Sequence, residues 1–292
     1  MLKNNVILVV NPVSGGIDKA ALIEQVSHYA RFLKLTLYCY ETSGINDLQA
    51  IREFYTLHRP ERVLIAGGDG TIKLVAEALE DKEVVFGILP VGSANGLATD
   101  LGLMLSEEEY IAIAFQNHHV SIDYITINDL MCLHLSDLGL NAELIKNYDK
   151  SAIRGKLGYA LQVFNTLWHA EKSFLVRIKT NQELIETRAR MIVIANSQKY
   201  GTGVTINPIG IMSDGKLELV ILKRITFYIF CKIVMGKIQT ITQDVVIVST
   251  DKAQISIDRS VSFQIDGEFC GKEDNLDVRI SSKKLKIAVA RV

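Results

Sequence analysis

The apolar residues of the N-terminal half come in short unbroken runs separated by stretches of helical spacing. Val6-Ile7-Leu8-Val9-Val10 is continuous and β-branched, the pattern of a central strand in a parallel sheet. Asp18 to Leu33 reads as a helix, Leu35 to Tyr40 as a weakly alternating strand and Asp47 to Leu57 as a second helix. Arg62 to Ala66 and Val84 to Leu89 are two more short strands. Between them Ile72, Val75, Ala76 and Leu79 repeat at helical spacing. The order β-α-β-α-β-α-β predicts an α/β domain with a parallel sheet and helices on both faces.

Beyond Tyr124 the period changes. Alternating runs at 174–179, 184–195, 216–223, 245–248, 253–257, 261–265 and 276–290 are separated by turn residues such as Asn181-Gln182 and Asp266-Gly267. This predicts a mainly antiparallel β-sandwich, interrupted by a helical stretch at about 151–170. The expected boundaries are a domain over 1–124 and a second over 125–284. The last strand, Leu285 to Ala290, is able to return to the first domain.

Each predicted parallel strand runs into a loop rich in glycine, asparagine, serine or proline. These loops are 11–16, 42–44, 67–71 and 92–96. Ligands of open α/β sheets bind beyond the carboxyl ends of the strands, so the convergence points to a phosphate or nucleotide site. Gly67-Gly68-Asp69-Gly70-Thr71 is central. Its glycines let backbone approach a ligand, and the helix that follows turns its positive end and its free N–H groups toward an anion. Asp69 would repel phosphate unless a cation stood between them, which implies Mg²⁺ or a proton relay; as a plain turn it would cap its own helix. No loop carries G-x-x-x-x-G-K-[ST] or G-x-G-x-x-G.

Composition narrows the picture only a little. The 292 residues are 48% hydrophobic and 22% charged, with a formal net charge of −1. No global field draws the chain to nucleic acid. Cys39, Cys132, Cys231 and Cys270 lack metal-ligand spacing and read as buried thiols of a reducing compartment. The six histidines show no ligand spacing, and His118-His119 reads as an exposed structural pair. No run approaches the roughly 18 apolar residues of a spanning helix, and Val6 to Val10 is too short for a signal-peptide core. The expected location is the cytoplasm, with transient contact at the membrane surface.

In order along the chain, Asn11-Pro12…Gly15-Gly16, Gly67-Gly68-Asp69-Gly70-Thr71 and Gly92-Ser93-Ala94-Asn95 resemble the three signatures of the diacylglycerol kinase catalytic domain family. That family includes soluble bacterial lipid kinases, sphingosine kinases and ceramide kinases. The resemblance continues through Ser121-Ile122-Asp123-Tyr124, Arg154-Gly155-Lys156-Leu157-Gly158-Tyr159, Asn207-Pro208…Ser213-Asp214-Gly215-Lys216-Leu217 and Gln264-Ile265-Asp266-Gly267-Glu268, nearly the whole chain.

The resemblance implies a three-layer α/β domain and a β-sandwich, with ATP in the cleft between them and its γ-phosphate transferred to a lipid hydroxyl. By position, Asn11, Pro12, Val13, Ser14, Gly15, Thr42, Gly67, Gly68, Asp69, Gly70, Thr71, Ile72, Lys73, Ser93 and Asn95 would contact nucleotide. Asp69 would sit near phosphates and metal. Asp123 matches the family's acidic position before the second domain. Glu268 corresponds to the general base. Asp214, with the carbonyls near Ile211 and Lys216, corresponds to a Mg²⁺ site. A carboxylate suits the base role, since a lipid hydroxyl must lose its proton as the bond to phosphorus forms. Without the resemblance, Asp266-Gly267-Glu268 reads first as a hairpin turn.

The chain departs from the family at four places. Lys73 and Leu74 replace the usual Asn and Glu, Ala94 alters the third signature mildly, Ser213 replaces an acid before Asp214, and Asp137 stands where small residues are frequent. A lipid kinase must dock at an interface. The candidate is 225–241, where Phe227, Tyr228 and Phe230 interleave with Lys232 and Lys237; Lys146, Lys150, Arg154 and Lys156 form a second basic face. Ordinary packing accounts equally well for either. A homodimer is compatible with the sequence. The alternatives are a NAD kinase-like enzyme, which shares Gly-Gly-Asp-Gly-Thr, and a non-catalytic nucleotide- or lipid-binding module on the same fold.

Overall fold

A computed structural model describes residues 4–16, 18–139, 173–199, 205–224 and 242–291. The helical stretch at 151–170, the motif at 154–159, both basic or aromatic docking candidates and Cys231 lie outside the described residues. The chain divides into two compact units, Met1–Ile122 with Ser282–Val292, and Asp123–Ser281.

The N-terminal unit is built on a six-stranded sheet. Its strands are β1 (Asn5–Val10), β2 (Thr36–Glu41), β3 (Arg62–Gly67), β4 (Val85–Pro90), β5 (His119–Ile122) and a last strand, Leu285–Ala288, called β16 from its place in chain order. The order across the sheet is β2-β1-β3-β4-β16-β5, and every pairing is parallel except that of β16 with β5. Helices α1 (Ala20–Phe32), α2 (Asp47–His58), α3 (Asp69–Leu79), α4 (Gly96–Asp100) and α5 (Glu107–Ala114) connect and cover the strands. Val6, Leu8 and Val10 of β1 pack with Leu22 and Val26 of α1 and with Tyr110 and Ile111 of α5. Alternation along the strand sends Ile7 and Val9 to the opposite face, where α2 and α3 pack on each other and reach β1 and β3. Both faces are therefore buried, the physical reason for the unbroken apolar runs.

Helix α5 and strand β5 carry no strong periodic signal and are absent from the sequence-based expectation. The exposed edge strand β2 explains the weak alternation of its residues. It also exposes Cys39, against the expectation of a buried thiol.

The C-terminal unit is an antiparallel β-sandwich. Its strands are β6 (Ile125–Ile127), β7 (Leu130–Cys132), β8 (Leu135–Leu138), β9 (Phe174–Thr180), β10 (Leu184–Ala189), β11 (Met191–Ala195), β12 (Leu217–Leu222), β13 (Val245–Thr250), β14 (Lys252–Ile265) and β15 (Glu268–Ile280). The path is β13-β12-β11-β8-β14-β15-β6-β7, with β9 on β14 and β10 on β9. The long strand β14 pairs with β9 through its first half and with β8 through its end. Register shifts at Ser256/Val261 and Phe263/Gln264 let it turn between the two layers. Phe174, Val176, Ile192, Leu219, Ile255 and Phe263 fill the core between them.

Three runs are divided differently from expectation. The run 184–195 is two strands broken at Arg190. The runs at 253–257 and 261–265 are one bulged strand. The run 276–290 contributes to β15 and β16, which lie in different sheets. Period alone does not register a bulge or a change of partner. Among the described residues no helix is long and apolar enough to cross a membrane.

Candidate functional site

The glycine loops of the N-terminal unit do meet at the carboxyl edge of the sheet, but they meet one another. A Cβ on Gly68 would stand 2.4 Å from the Ala94 carbonyl oxygen and 3.2 Å from the Cα of Gly92. One on Gly92 would stand 2.2 Å from the Cα of Gly68. Gly15, with φ of +67°, would meet the Val91 carbonyl oxygen at 2.4 Å. At Gly67 the space is taken by Thr71, whose hydroxyl accepts a hydrogen bond from Asn11 Nδ2 at 3.1 Å. The missing side chains of these glycines let three loops close on each other as one body.

Asp69 is the clasp of that body. Its backbone N–H donates to the Ala94 carbonyl oxygen at 3.1 Å. Its carboxylate accepts from the N–H groups of Gly96 at 2.7 Å and Leu97 at 3.1 Å. It therefore caps the first turn of α4, not its own helix, and satisfies donors that a helix start leaves open. The N–H groups of α3 are partly engaged as well, because Thr71 N donates to the Gly68 carbonyl oxygen at 3.0 Å. Of the N–H groups in this first turn, those of Asp69 and Thr71 are thus engaged within the protein. Gly70 and Ser93 are exposed, Lys73 is half-buried and Ile72 is buried. Asn95 Oδ1 accepts from Gly92 N at 3.1 Å and holds the third loop closed.

The first loop stands beside these. Val13 is 83% exposed beside exposed Pro12, and Asn11 Oδ1 accepts from Val13 N at 3.2 Å. Lys19, buried, donates to the Ser14 carbonyl oxygen at 2.6 Å. Thr42 N donates to the Val10 carbonyl oxygen at 2.8 Å and extends the β2 edge. Just past it the Asp47 carboxylate gathers Ser43 N, Gly44 N and the Tyr40 hydroxyl. Burial pushes the Asp47 carboxyl up, but these hydrogen bonds outweigh it and the net shift is downward. Burial and the same partner push the Tyr40 hydroxyl up to about 12.

In the C-terminal unit Asp123 is 1% exposed and joins the loop expected to hold a metal. Its N–H donates to the Met212 carbonyl oxygen at 2.7 Å and its carboxylate accepts from Gly215 N at 2.8 Å. Asp214 is exposed, and its carboxylate accepts from Lys216 N at 3.0 Å. Asp214, Ile211 and Lys216 are all exposed on one turn, and a carboxylate with two carbonyls would offer a metal only oxygen, although the Ile211 carbonyl oxygen already accepts from Asp214 N at 3.4 Å. That chemistry fits a hydrated Mg²⁺. No group of three His, Cys, Asp or Glu gathers as a metal site among the described residues.

Glu268 is exposed and opens β15 directly after the turn Asp266-Gly267. Both turn residues have positive φ, 50° and 88°, as a type I′ hairpin requires. The hairpin reading of this motif therefore holds. What the sequence does not show is the anchoring. The Asp266 carboxylate accepts from the N–H groups of Leu133 at 3.0 Å, His134 at 2.9 Å and Leu135 at 3.2 Å. Asn196, fully buried after β11, donates to the carbonyl oxygens of Asp123 at 2.6 Å and Leu133 at 3.0 Å. The segment 133–135 thus ties Asp123 and the Glu268 hairpin to one support. Asp266 stood inside a recognised motif as a turn former; Asn196 ends an ordinary apolar run and gave no signal.

Glu218 is a second residue that the sequence does not single out. It is 2% exposed and accepts from Asn207 Nδ2 at 2.7 Å and Ser249 Oγ at 2.9 Å. Burial pushes its carboxyl above the ordinary value of 4.5, and these hydrogen bonds only partly oppose it. The protonated form is favoured by folding, so this contribution to stability is complete below pH 4.5 and is lost as pH rises through the raised folded value. Urea midpoints measured across acid and neutral pH are expected to show this component in the parent and not in Glu218→Gln. Equal pH profiles for the two proteins would contradict it.

With both units described, comparison with known proteins defines the class. Residues 5–127 match the diacylglycerol kinase catalytic domain and residues 137–289 match the YegS C-terminal NAD kinase beta sandwich-like domain. The two matches fall on the α/β unit and on the β-sandwich. The chain belongs to the family that joins a diacylglycerol kinase catalytic domain to a YegS C-terminal NAD kinase beta sandwich-like domain. A probable lipid kinase YegS-like from Enterobacter sp. (strain 638) is 29% identical over 165 residues, 54% of this chain and 55% of that protein, so the chain spans about half the length of that relative. The fold is similar to the crystal structure of a diacylglycerol kinase from Bacillus anthracis str. Sterne, with TM-score 0.76 and 18% identity over 99% of this chain and 98% of that one. An NAD kinase from Archaeoglobus fulgidus in complex with ATP is similar at TM-score 0.57 and 13% identity, over 97% and 93% of the two chains.

Proposed function

We propose that the protein transfers the γ-phosphate of ATP to the hydroxyl of a membrane lipid, with Mg²⁺. The observation that carries this reading is the closure of the three signature loops into one body at the carboxyl edge of a parallel sheet, where such folds bind ligands. On this reading the exposed face of that body, with Val13, Gly70 and Ser93, receives the nucleotide, and Asp69 holds the loops in shape. Mg²⁺, when bound, would supply charge neutralisation on phosphate. Asp214 and the Ile211 and Lys216 carbonyls would hold it. Glu268 accepts the hydroxyl proton as the acceptor oxygen bonds to the γ-phosphorus and the bond from that phosphorus to the bridging oxygen breaks, leaving ADP; Asp123 shapes the loop that carries Asp214.

The reaction needs a base that the acceptor hydroxyl can approach, and Glu268 is exposed beside a hairpin turn. The test is transfer of label from γ-labelled ATP into an extract of membrane lipids, run beside a reaction in which NAD replaces the lipid. Labelled lipid supports the reading. Formation of labelled NADP would replace it with NAD kinase activity. Nucleotide binding with no transfer to either acceptor would identify a binding module, the alternative suggested by Lys73, Leu74 and Ser213.

A further inference from the structure

The turn that presents Glu268 is held from beneath by a pair of buried polar side chains. Gln264, four residues earlier on β14, is 1% exposed, and Asp137, its cross-strand partner on β8, is likewise 1% exposed. Gln264 Nε2 donates to Asp137 Oδ2, and Gln264 Oε1 accepts from Gly267 N at 2.7 Å. Ser136 Oγ donates to the Gln264 carbonyl oxygen at 2.6 Å. The β14–β15 register shifts between Phe263 and Gln264, directly before the residue in question. A bulge of this kind re-aims a side chain.

The chemistry of the pair admits only one arrangement of the amide. A backbone N–H only donates, so the Gln264 oxygen must face Gly267. The Gln264 nitrogen then needs an acceptor, and a carboxylate supplies it. Burying an acid and an amide costs stability unless every polar atom is matched, and an apolar pair would fill the same place at lower cost. What the polar pair adds is a fixed backbone at Gly267, the residue joined to Glu268.

We infer that Gln264, oriented by Asp137, is a positioning residue that sets the backbone of the Asp266-Gly267 turn and thereby the direction in which Glu268 points. This rests on the reading of Glu268 as the base. It also accounts for an acid at position 137, where the family favours small residues. Both side chains are buried, and the effect passes through one backbone N–H, that of Gly267.

Two paired substitutions separate positioning from packing. Asp137→Asn with Gln264→Glu exchanges donor and acceptor: the amide introduced at position 137 donates to the carboxylate introduced at position 264, and Gly267 N–H keeps its acceptor. Asp137→Leu with Gln264→Met keeps the volume and removes the bond to Gly267. Gln264→Glu alone sets two acids face to face. In the full-length protein, kcat and KM for ATP are measured by label transfer, with thermal midpoints and amide hydrogen exchange at Gly267.

The apolar pair and Gln264→Glu are expected to lower kcat by about 10²-fold at unchanged KM, the scale of a small misplacement of a reacting group. The exchanged pair is expected to restore parental kcat. Gly267 exchange should be fast only where the bond is lost. In the Glu268→Gln background the apolar pair should cost no further activity. Parental kcat in the apolar pair, or an exchanged pair that folds without recovering kcat, would overturn the positioning role. Should the apolar pair fail to fold, Gln264→Glu and its rescue decide. Full activity of Glu268→Gln would instead remove the base and this inference together, while Gly267 exchange still reports on the bond itself.

Discussion

Glu268→Gln is expected to lower phosphoryl transfer by about 10²- to 10⁴-fold, the usual contribution of a positioned proton acceptor. The amide has nearly the shape of the carboxylate and cannot take the proton of the acceptor hydroxyl. The loss should fall on kcat, since the residue acts only as the new bond forms. Stability should change by no more than about 0.5 kcal/mol, because Glu268 is exposed and the turn is held by its neighbours. Gly267 N is held by Gln264 and the Asp266 carboxylate is held by Leu133 to Leu135. An inactive but normally stable Gln variant is the result that fits. An active variant would refute the base assignment, and an unstable one would mean that Glu268 serves the fold.

Gly92→Ala has the opposite signature, a large loss of stability in the N-terminal unit. Its new Cβ would lie 2.2 Å from the Cα and 2.4 Å from the N of Gly68, both backbone atoms that no side-chain rotation can move aside. The loops cannot simply separate, because Asp69 N–H donates to Ala94 and the Asp69 carboxylate holds Gly96 and Leu97. Overpacking a tight site costs about 1–3 kcal/mol and occasionally more, and the upper part of that range is expected here. Gly102→Ala is the matched control. Gly102 has φ of +69° and nothing within 4 Å of a new Cβ, so only backbone strain of about 1–2 kcal/mol applies. Urea unfolding of the two variants compares them directly. A Gly92→Ala protein as stable as the parent would show that the loops do not meet as described.

These predictions differ because the two motifs were legible to different depths. Gly-Gly-Asp-Gly-Thr marks a strand-to-helix turn in any context, and the structure places it between β3 and α3. Whether its glycines face a ligand or another loop depends on Gly92 and Ala94, some 25 residues on, and no local pattern carries that information. Asp69 shows the same limit. A carboxylate near a helix start suggests a cap, but the helix it caps is α4, brought alongside by the neighbouring strand β4. At Asp266-Gly267 the turn type was readable, because positive φ at two successive positions calls for those residues. The anchoring of its carboxylate by residues 133–135 was not.

The amino-acid sequence by itself determined the two halves of this protein, the parallel strands of the first and the antiparallel strands of the second, and the family to which the ordered motifs belong. It could do so because period, β-branching and turn chemistry act between near neighbours. Only the tertiary structure decided what the motif residues touch. Gly92 meets Gly68, Asp69 caps α4, Asn196 joins Asp123 to Leu133, and Asp137 holds the amide that holds Gly267. Each of these contacts joins segments distant in sequence, and backbone N–H and C=O groups, which every residue carries alike, form most of them. A sequence cannot name the partner of a group that all its residues share.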